Sequence, residues 1–310
     1  MGCVPADELR ALLAAKRSRE AEELVERGAT QSADRARTFR EAGLVALKSG
    51  EARLAAEWLR QAANLSPGDP EPRHDRGLAL LELGEVGLAA QAQAEALALD
   101  PDHVGARAQR AAALEALGDD EGAARELAEL LARIGPQPAL EARLAGLRDA
   151  ARRAAHFSLL GAAAARVEHS PIVVSAFARV ALRPPVLAFR APFADLEALP
   201  DAHGRVRRLT LLFDSMDASL SRTDLSYGGT TEDEHGRRVP LDEFTSAATV
   251  FLAHGLGIDA PRARRLLRFL MTPECGLGPV RFAHARVGWV IDESAAERRY
   301  GLFIEEDRDG

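Results

Sequence analysis

Between residues 7 and 155 apolar side chains return at the spacing of one helical face. Leu140, Leu144, Leu147, Ala151 and Ala155 advance by three or four positions each time, as a packed α-helix requires. A second, longer interval lies over this one, and its value is 34. Gly50, Gly84 and Gly118 stand 34 apart, as do Ala55, Ala89 and Ala123. Gly43, Gly77 and Ala111 form another column, Ala62, Ala96 and Leu130 a further one, and Pro67 and Pro101 repeat with Pro136 one residue late. Beyond residue 170 the spacing changes to alternation. Val287, Trp289 and Ile291 alternate with Arg286, Gly288 and Val290, and Tyr300, Leu302 and Ile304 alternate again after the loop Asp292 to Arg298, which predicts a hairpin. Ile172–Val180, Val186–Phe189 and Val206–Phe213 read as further strands. One helix is expected from Leu241, with Phe244, Ala248, Phe251 and Leu252 on one face, and another after Asp259-Ala260-Pro261, ending before Pro273. The order β-β-β-α-α-β-β predicts an α+β domain with a mostly antiparallel sheet and its helices on one face.

Each repeating column has a physical reading. Gly50, Gly84 and Gly118 sit in Gly-Glu or Gly-Asp turns, where a left-handed residue ends a first helix. Asn64-Leu65-Ser66-Pro67-Gly68-Asp69-Pro70 stops a second helix, because proline cannot continue one. Ala55, Ala89 and Ala123 then fall in the second helix of each pair and Gly43 and Gly77 in the first, where larger side chains would force the helices apart. Each unit is a helix-turn-helix of 34 residues.

These columns resemble the tetratricopeptide repeat (TPR) family. Phe39, Ala42, Gly43, Ala46, Ala55, Leu59, Ala62 and Pro67 stand at its eight signature positions. The next unit places Arg73, Arg76, Gly77, Leu80, Ala89, Gln93, Ala96 and Pro101 there, and the third Arg107, Arg110, Ala111, Leu114, Ala123, Leu127, Leu130 and Gly135. The small-residue positions match well and the aromatic position is lost after the first unit. The resemblance covers residues 35–137 and implies an all-α solenoid of three repeats. Residues 1–34 read as a degenerate repeat or N-terminal cap, since end units are atypical. Residues 138–168 read as a capping and connecting helix, and residues 169–310 as the α+β domain.

The resemblance also implies a concave groove lined by the first helix of each unit, which offers Arg37, Arg40, Leu44, Leu47 and Lys48, then Glu71, His74, Leu78, Leu81 and Glu82. An apolar strip with charges at its ends suits a peptide or protein partner held by a few anchors. Members that clamp a terminal carboxylate carry Asn where this chain has Leu44, so a clamp of that kind is not expected.

Composition narrows the function classes. The chain has 310 residues, 47% hydrophobic and 28% charged, with a net charge of -7, so it lacks the basic excess that bulk nucleic-acid binding needs. No run of about 18 apolar residues is present, so no membrane partner is expected. Two cysteines, Cys3 and Cys275, cannot build a disulfide framework or a structural zinc site, and the first residues lack an apolar signal core. The expectation is a cytoplasmic protein without cofactor or metal. Lysine occurs only at Lys16 and Lys48, and this Arg- and Ala-rich, Lys-poor usage suggests a bacterial source. Phe39 and Trp58 are the only aromatic residues before position 151 in a chain with 11 Phe, 2 Tyr and 2 Trp, which separates the helical half from the sheet half.

Chemistry, if present, belongs to the second half. Leu211-Leu212-Phe213-Asp214-Ser215-Met216-Asp217 is an apolar strand ending in two carboxylates, a place where a divalent cation can sit. The same acids are ordinary cap and turn residues. The polar stretch 226–238 holds Glu232, Asp233, Glu234 and His235, which could ligate a metal or form a solvated loop. Arg262, Arg265 and Arg268 make a basic stripe opposite Leu266, Leu267 and Leu270, read chiefly as a solvated face. Two functional readings remain open. One is a protein-interaction scaffold with an accessory domain. The other is an enzyme or ligand sensor built around Asp214 and Asp217, with the repeats used for recruitment.

Overall fold

The structure, a computed structural model, describes residues 4–31, 34–163, 165–168, 170, 178–180, 187–191, 194–213, 230–232, 238–240, 242–272, 275, 278–282, 285–292 and 299–307. Two compact units divide the chain. One comprises Met1–Ala116 with Ala123–Leu144, the other Leu117–Gly122 with Ala145–Gly310.

The first unit is the all-α helix-turn-helix solenoid. Its helices are α1 (Ala6–Ala14), α2 (Ser18–Gln31), α3 (Arg35–Lys48), α4 (Ala52–Leu65), α5 (Glu71–Glu82), α6 (Val86–Leu99), α7 (Val104–Leu117) as far as Ala116, α8 (Asp120–Ile134) from Ala123, and the start of α9 (Pro138–Phe157); the turn Leu117–Gly122 belongs to the second unit. Asp34 caps α3 by accepting the Arg37 backbone N–H at 3.0 Å. Gly50 and Gly84 close their hairpins at φ 76°, a left-handed conformation that glycine adopts without the strain a Cβ brings. The turn between α1 and α2 has the same form. Lys16 lies 34 residues before Gly50 and adopts φ 58°, so the first hairpin is a repeat in register whose turn glycine has been replaced. Close helix crossings explain the small residues inside the helices. A Cβ on Gly43 would lie 2.6 Å from Leu59 Cγ, and one on Gly77 would lie 2.2 Å from Gln93 Nε2.

The core changes along this unit. Around α1 to α4 it contains Leu9, Leu13, Val25, Phe39, Trp58 and Leu59. Farther on it becomes Leu80, Ala89, Ala90, Ala92 and Ala113, and then Ala96, Leu97 and Ala106. The lost aromatics account for the change. Phe39 is fully buried, whereas Arg73 and Arg107 at the same position turn toward the inter-repeat loops. Arg73 Nη1 donates to Asp69 O at 3.0 Å and Arg107 Nη2 to Pro101 O at 2.7 Å, so each guanidinium closes the preceding loop. Arg107 and Arg110 also share Glu126, at 3.0 and 2.6 Å. Helix α9 stays in register: Pro138 follows Val104 by 34, and Ala145 continues the Gly43, Gly77, Ala111 column. It is 20 residues long rather than the 14 of α3 or α7.

The second unit is α+β. It contains α10 (Ala165–Glu168), β1 (Ala178–Val180), β2 (Leu187–Ala191), β3 (Ala194–Pro200), β4 (Val206–Phe213), β5 (Thr230–Glu232), β6 (Arg238–Pro240), α11 (Asp242–Leu256), α12 (Ala260–Met271), β7 (Val280–Phe282), β8 (Ala285–Asp292) and β9 (Arg299–Glu306). Seven strands form one antiparallel sheet in the order β1-β2-β3-β4-β9-β8-β7. Leu196, Leu209, Leu211, Val287, Leu302 and Ile304 are buried. Register places them on one face of the sheet, where α11 and α12 lie. A Cβ on Gly255 of α11 would be 2.3 Å from Ile304 Cδ1, and Trp289 Nε1 donates to Leu270 O of α12 at 2.8 Å. The other face carries cross-strand charge pairs, Asp195–Arg299 at 2.8 Å and Glu305–Arg286 at 2.7 Å, and the Arg208 guanidinium lies 4.7 Å from the Phe303 ring centre.

Three sequence expectations change. Ala194–Pro200 is a strand that the alternation did not suggest. The stretch 226–238 is not wholly loop, because Thr230–Glu232 pairs with Arg238–Pro240. Of the strand expected over 172–180 the described part is Ala178–Val180.

Candidate functional site

The first helices of the repeats bring their inward positions into rows, because residues 34 apart occupy equivalent places. Leu44, Leu47, Leu78 and Leu81 are half-buried. Leu47 also packs on the Phe39–Trp58 core and Leu81 on the alanine-rich one. Beside Leu44 a cleft of about 520 Å³ is lined by Asp34, Ala36, Arg37, Arg40, Glu41, Leu44, Ser66, Asp69 and Pro72. Helix α3 supplies one wall and the α4–α5 loop the other.

The charges of this cleft are largely spoken for. Arg37 Nε donates to Glu41 Oε1 at 2.8 Å, one helical turn on. Arg40 crosses to the next repeat, where Nε donates to Asp75 Oδ2 and Nη2 to Glu71 Oε2, both at 2.7 Å. Burial acts to lower the Arg40 pKa, but the Asp75 hydrogen bond and the charges of Asp75, Glu71 and Asp69 outweigh it and raise the pKa above its ordinary value. Arg40 therefore ties α3 to α5. His74 is also engaged: its Nδ1 lies 2.9 Å from Gln93 Oε1, while Gln93 Nε2 donates to the His74 carbonyl at 3.1 Å. Lys48 is exposed at the end of α3. Apolar anchoring on Leu44 and Leu78, with polar contacts from the rim, is what the arrangement can offer a ligand.

Ser66, Asp69 and Pro72 were not among the residues that periodicity picks out, since the α4–α5 loop supplies the first two and the first turn of α5 the third. The polar seam through Arg107, Arg110, Glu126, His103 and Gln93 was missed as well. Its one sequence signal was arginine in the aromatic column.

In the second half, Asp214, Asp217, Asp224, Asp233, Glu234, His235 and His284 lie outside the described residues. Glu232 is the last residue of β5. Among the described residues no group of three or more His, Cys, Asp or Glu is placed to hold a metal. Cys275 is half-buried, and its backbone N–H donates to Thr272 O at 3.2 Å. Burial pulls the His254 imidazole below its ordinary pKa. The basic stripe of α12 is not wholly solvated: Arg262 Nη1 reaches Asp120 Oδ2 at 3.1 Å, and a Cβ on Gly118 would lie 2.9 Å from Arg262 Cδ.

No family model and no curated protein matches the chain. Solved structures similar to it include the first TPR of Spaghetti (RPAP3) bound to the HSP90 peptide SRMEEVD. That match has 22% identity over 38% of this chain and 94% of that one, with a TM-score of 0.36. The Arabidopsis OM64 TPR domain matches at 24% identity over 37% of this chain and 94% of that one, TM-score 0.35. MamA matches at 18% identity over 44% and 85%, TM-score 0.38. Residues 35–137 of this chain form a TPR-like region on their own geometry: a 34-residue period, glycine-closed hairpins and close crossings at Gly43 and Gly77.

Proposed function

We propose that the chain is a protein-interaction scaffold that holds a peptide or protein segment in the groove of its repeats. The observation that carries this reading is the cleft of about 520 Å³ beside Leu44, in a unit whose first helices also leave Leu47, Leu78 and Leu81 half-buried. Half-buried leucines that remain accessible are natural anchor sites for an apolar side chain of a partner. The internal pairing of Arg37 and Arg40 argues against a clamp for a free carboxylate and for a segment anchored by apolar side chains. The second unit is then an accessory domain. Cysteine usage supports a cytosolic setting, and the Arg-rich composition a bacterial one. No helix among the described residues is long and apolar enough to cross a membrane.

The test is selection of displayed random peptides on the full chain, followed by affinity measurement against Leu44→Asp/Leu78→Asp. The double variant should keep its helical circular dichroism and bind the selected peptide at least about tenfold more weakly. Equal binding by both proteins, or no selectable peptide, rejects the groove.

A further inference from the structure

We propose that the seam between the second and third repeats is an acid-sensitive joint built on His74 and His103. His103 occupies the N-terminal cap of α7, and its Nδ1 accepts the Ala106 backbone N–H at 3.1 Å. Accepting requires a lone pair on Nδ1, so the neutral imidazole keeps its proton on Nε2. A second proton can only be added at Nδ1. There it removes the acceptor and sets an N–H against the Ala106 N–H. The cap exists in one protonation state only.

The surroundings strengthen the dependence. The rings of His74 and His103 are 4.7 Å apart between centres, so charging both places two cations in contact. His74 cannot swing away freely, because Gln93, fully buried, holds it by ring nitrogen and carbonyl. The glycine at 105 leaves room for the pair: a Cβ there would lie 3.3 Å from Cε1 of both His74 and His103.

The charged groups around the pair come from several elements. Helix α5 presents Glu71, whose Oε1 is 3.4 Å from His103 Nε2, and Asp75. Helix α3 presents Arg40, bonded to both of those carboxylates. The loop before α7 carries Asp100, whose carbonyl accepts the His103 N–H at 3.2 Å, and Asp102, paired with Arg133 of α8 at 3.0 Å. Helix α7 carries Arg107, which is held by Glu126 of α8. Glu71 opposes the effect most closely, since it attracts an imidazolium, whereas Asp75 is bonded to Arg40 and Asp102 to Arg133. Glu71 already serves Arg40 at 2.7 Å, and His103 Nε2 has no hydrogen-bond partner among the described residues. Glu71 Oε2 and Asp75 are held by the Arg40 guanidinium, whose charge offsets their pull, while the cap at Nδ1 is lost outright, so loss of the cap decides the sign. Protonation at Nδ1 removes the cap, so the joint loosens on acidification. Because Glu71 and Asp75 also fix Arg40 in the cleft, opening reaches the groove wall.

Amide exchange on the full chain tests this. The protection factor of the Ala106 amide, corrected for intrinsic exchange, should fall by about fivefold between pH 7.5 and 5. His103→Asn supplies a cap that does not titrate, and its protection should stay flat over the same range. An identical fall in the variant, or rising protection in the wild type on acidification, overturns the proposal. Imidazole ¹⁵N spectra of the wild-type chain give an answer even where the variant fails to fold. A bare Nδ1 on His103 at neutral pH supports the joint, and a protonated Nδ1 rejects it.

Discussion

Lys16 holds a backbone conformation that the corresponding turns give to glycine. A left-handed non-glycine residue costs about 1–2 kcal/mol, partly offset because glycine loses more entropy on folding. The Lys16 ammonium pairs with Glu51 at the next hairpin, and an exposed pair of this kind contributes at most about 1 kcal/mol. The two effects separate when the pair is removed first. In a Glu51→Gln background, Lys16→Gly should raise stability in urea by about 0.5–1 kcal/mol. A loss there would mean that the turn is not strained. His254 gives a second residue-scale expectation. Its folded pKa lies below the ordinary 6.5, so the unfolded chain takes up more protons as the pH falls below that value. Stability on its account is fully present above about pH 6.5 and declines below it. His254→Asn should flatten the acid side of the stability profile of the sheet unit, measured by Trp289 fluorescence between pH 7 and 5. An unchanged slope would rule the imidazole out as its source.

Among the elements, the crossing of α5 and α6 is a close one. Gly77 faces the amide of Gln93, and that amide is fixed at both ends by His74. Gly77→Leu must displace it, and should cost about 1–3 kcal/mol or more in denaturant titration. A neutral outcome would show that the crossing can open. This crossing was legible in the chain, because a glycine recurring every 34 residues has few explanations other than a close approach. The strands β8 and β9 were legible from alternation alone. Strand β3 was not: Ala-Asp-Leu-Glu-Ala-Leu contains good helix formers, and its extended form comes from pairing with β2 and β4 on either side. The cleft beside Leu44 was legible only in part. Register placed Arg37, Arg40 and Leu44 together, yet it could not supply Ser66 and Asp69 from the loop or Pro72 from the first turn of α5. Nor could it reveal that Arg40 is already engaged, since its partners Glu71 and Asp75 sit a whole repeat away.

For the whole molecule, each tryptophan reports on one unit. Trp58 is buried in the repeat core and Trp289 is bound to α12. In single-tryptophan versions carrying Gly77→Leu, the Trp58 transition should move to lower denaturant while that of Trp289 keeps its midpoint, because repeat arrays transmit loss mainly to neighbours. Equal shifts of both signals would show a single cooperative block. The alanine lining of the later repeats also bears on temperature. Heat capacity rises on unfolding mainly through hydration of newly exposed apolar surface, ordinarily by about 12–15 cal/mol/K per residue. Methyl groups such as Ala89, Ala92, Ala96, Ala106 and Ala113 expose little such surface, and the guanidinium-closed loops expose polar surface that acts in the opposite sense. The calorimetric increment of the transition reported by Trp58 should therefore fall below about 12 cal/mol/K per residue. A small increment flattens the stability curve, so the array weakens little on cooling and yields gradually on warming.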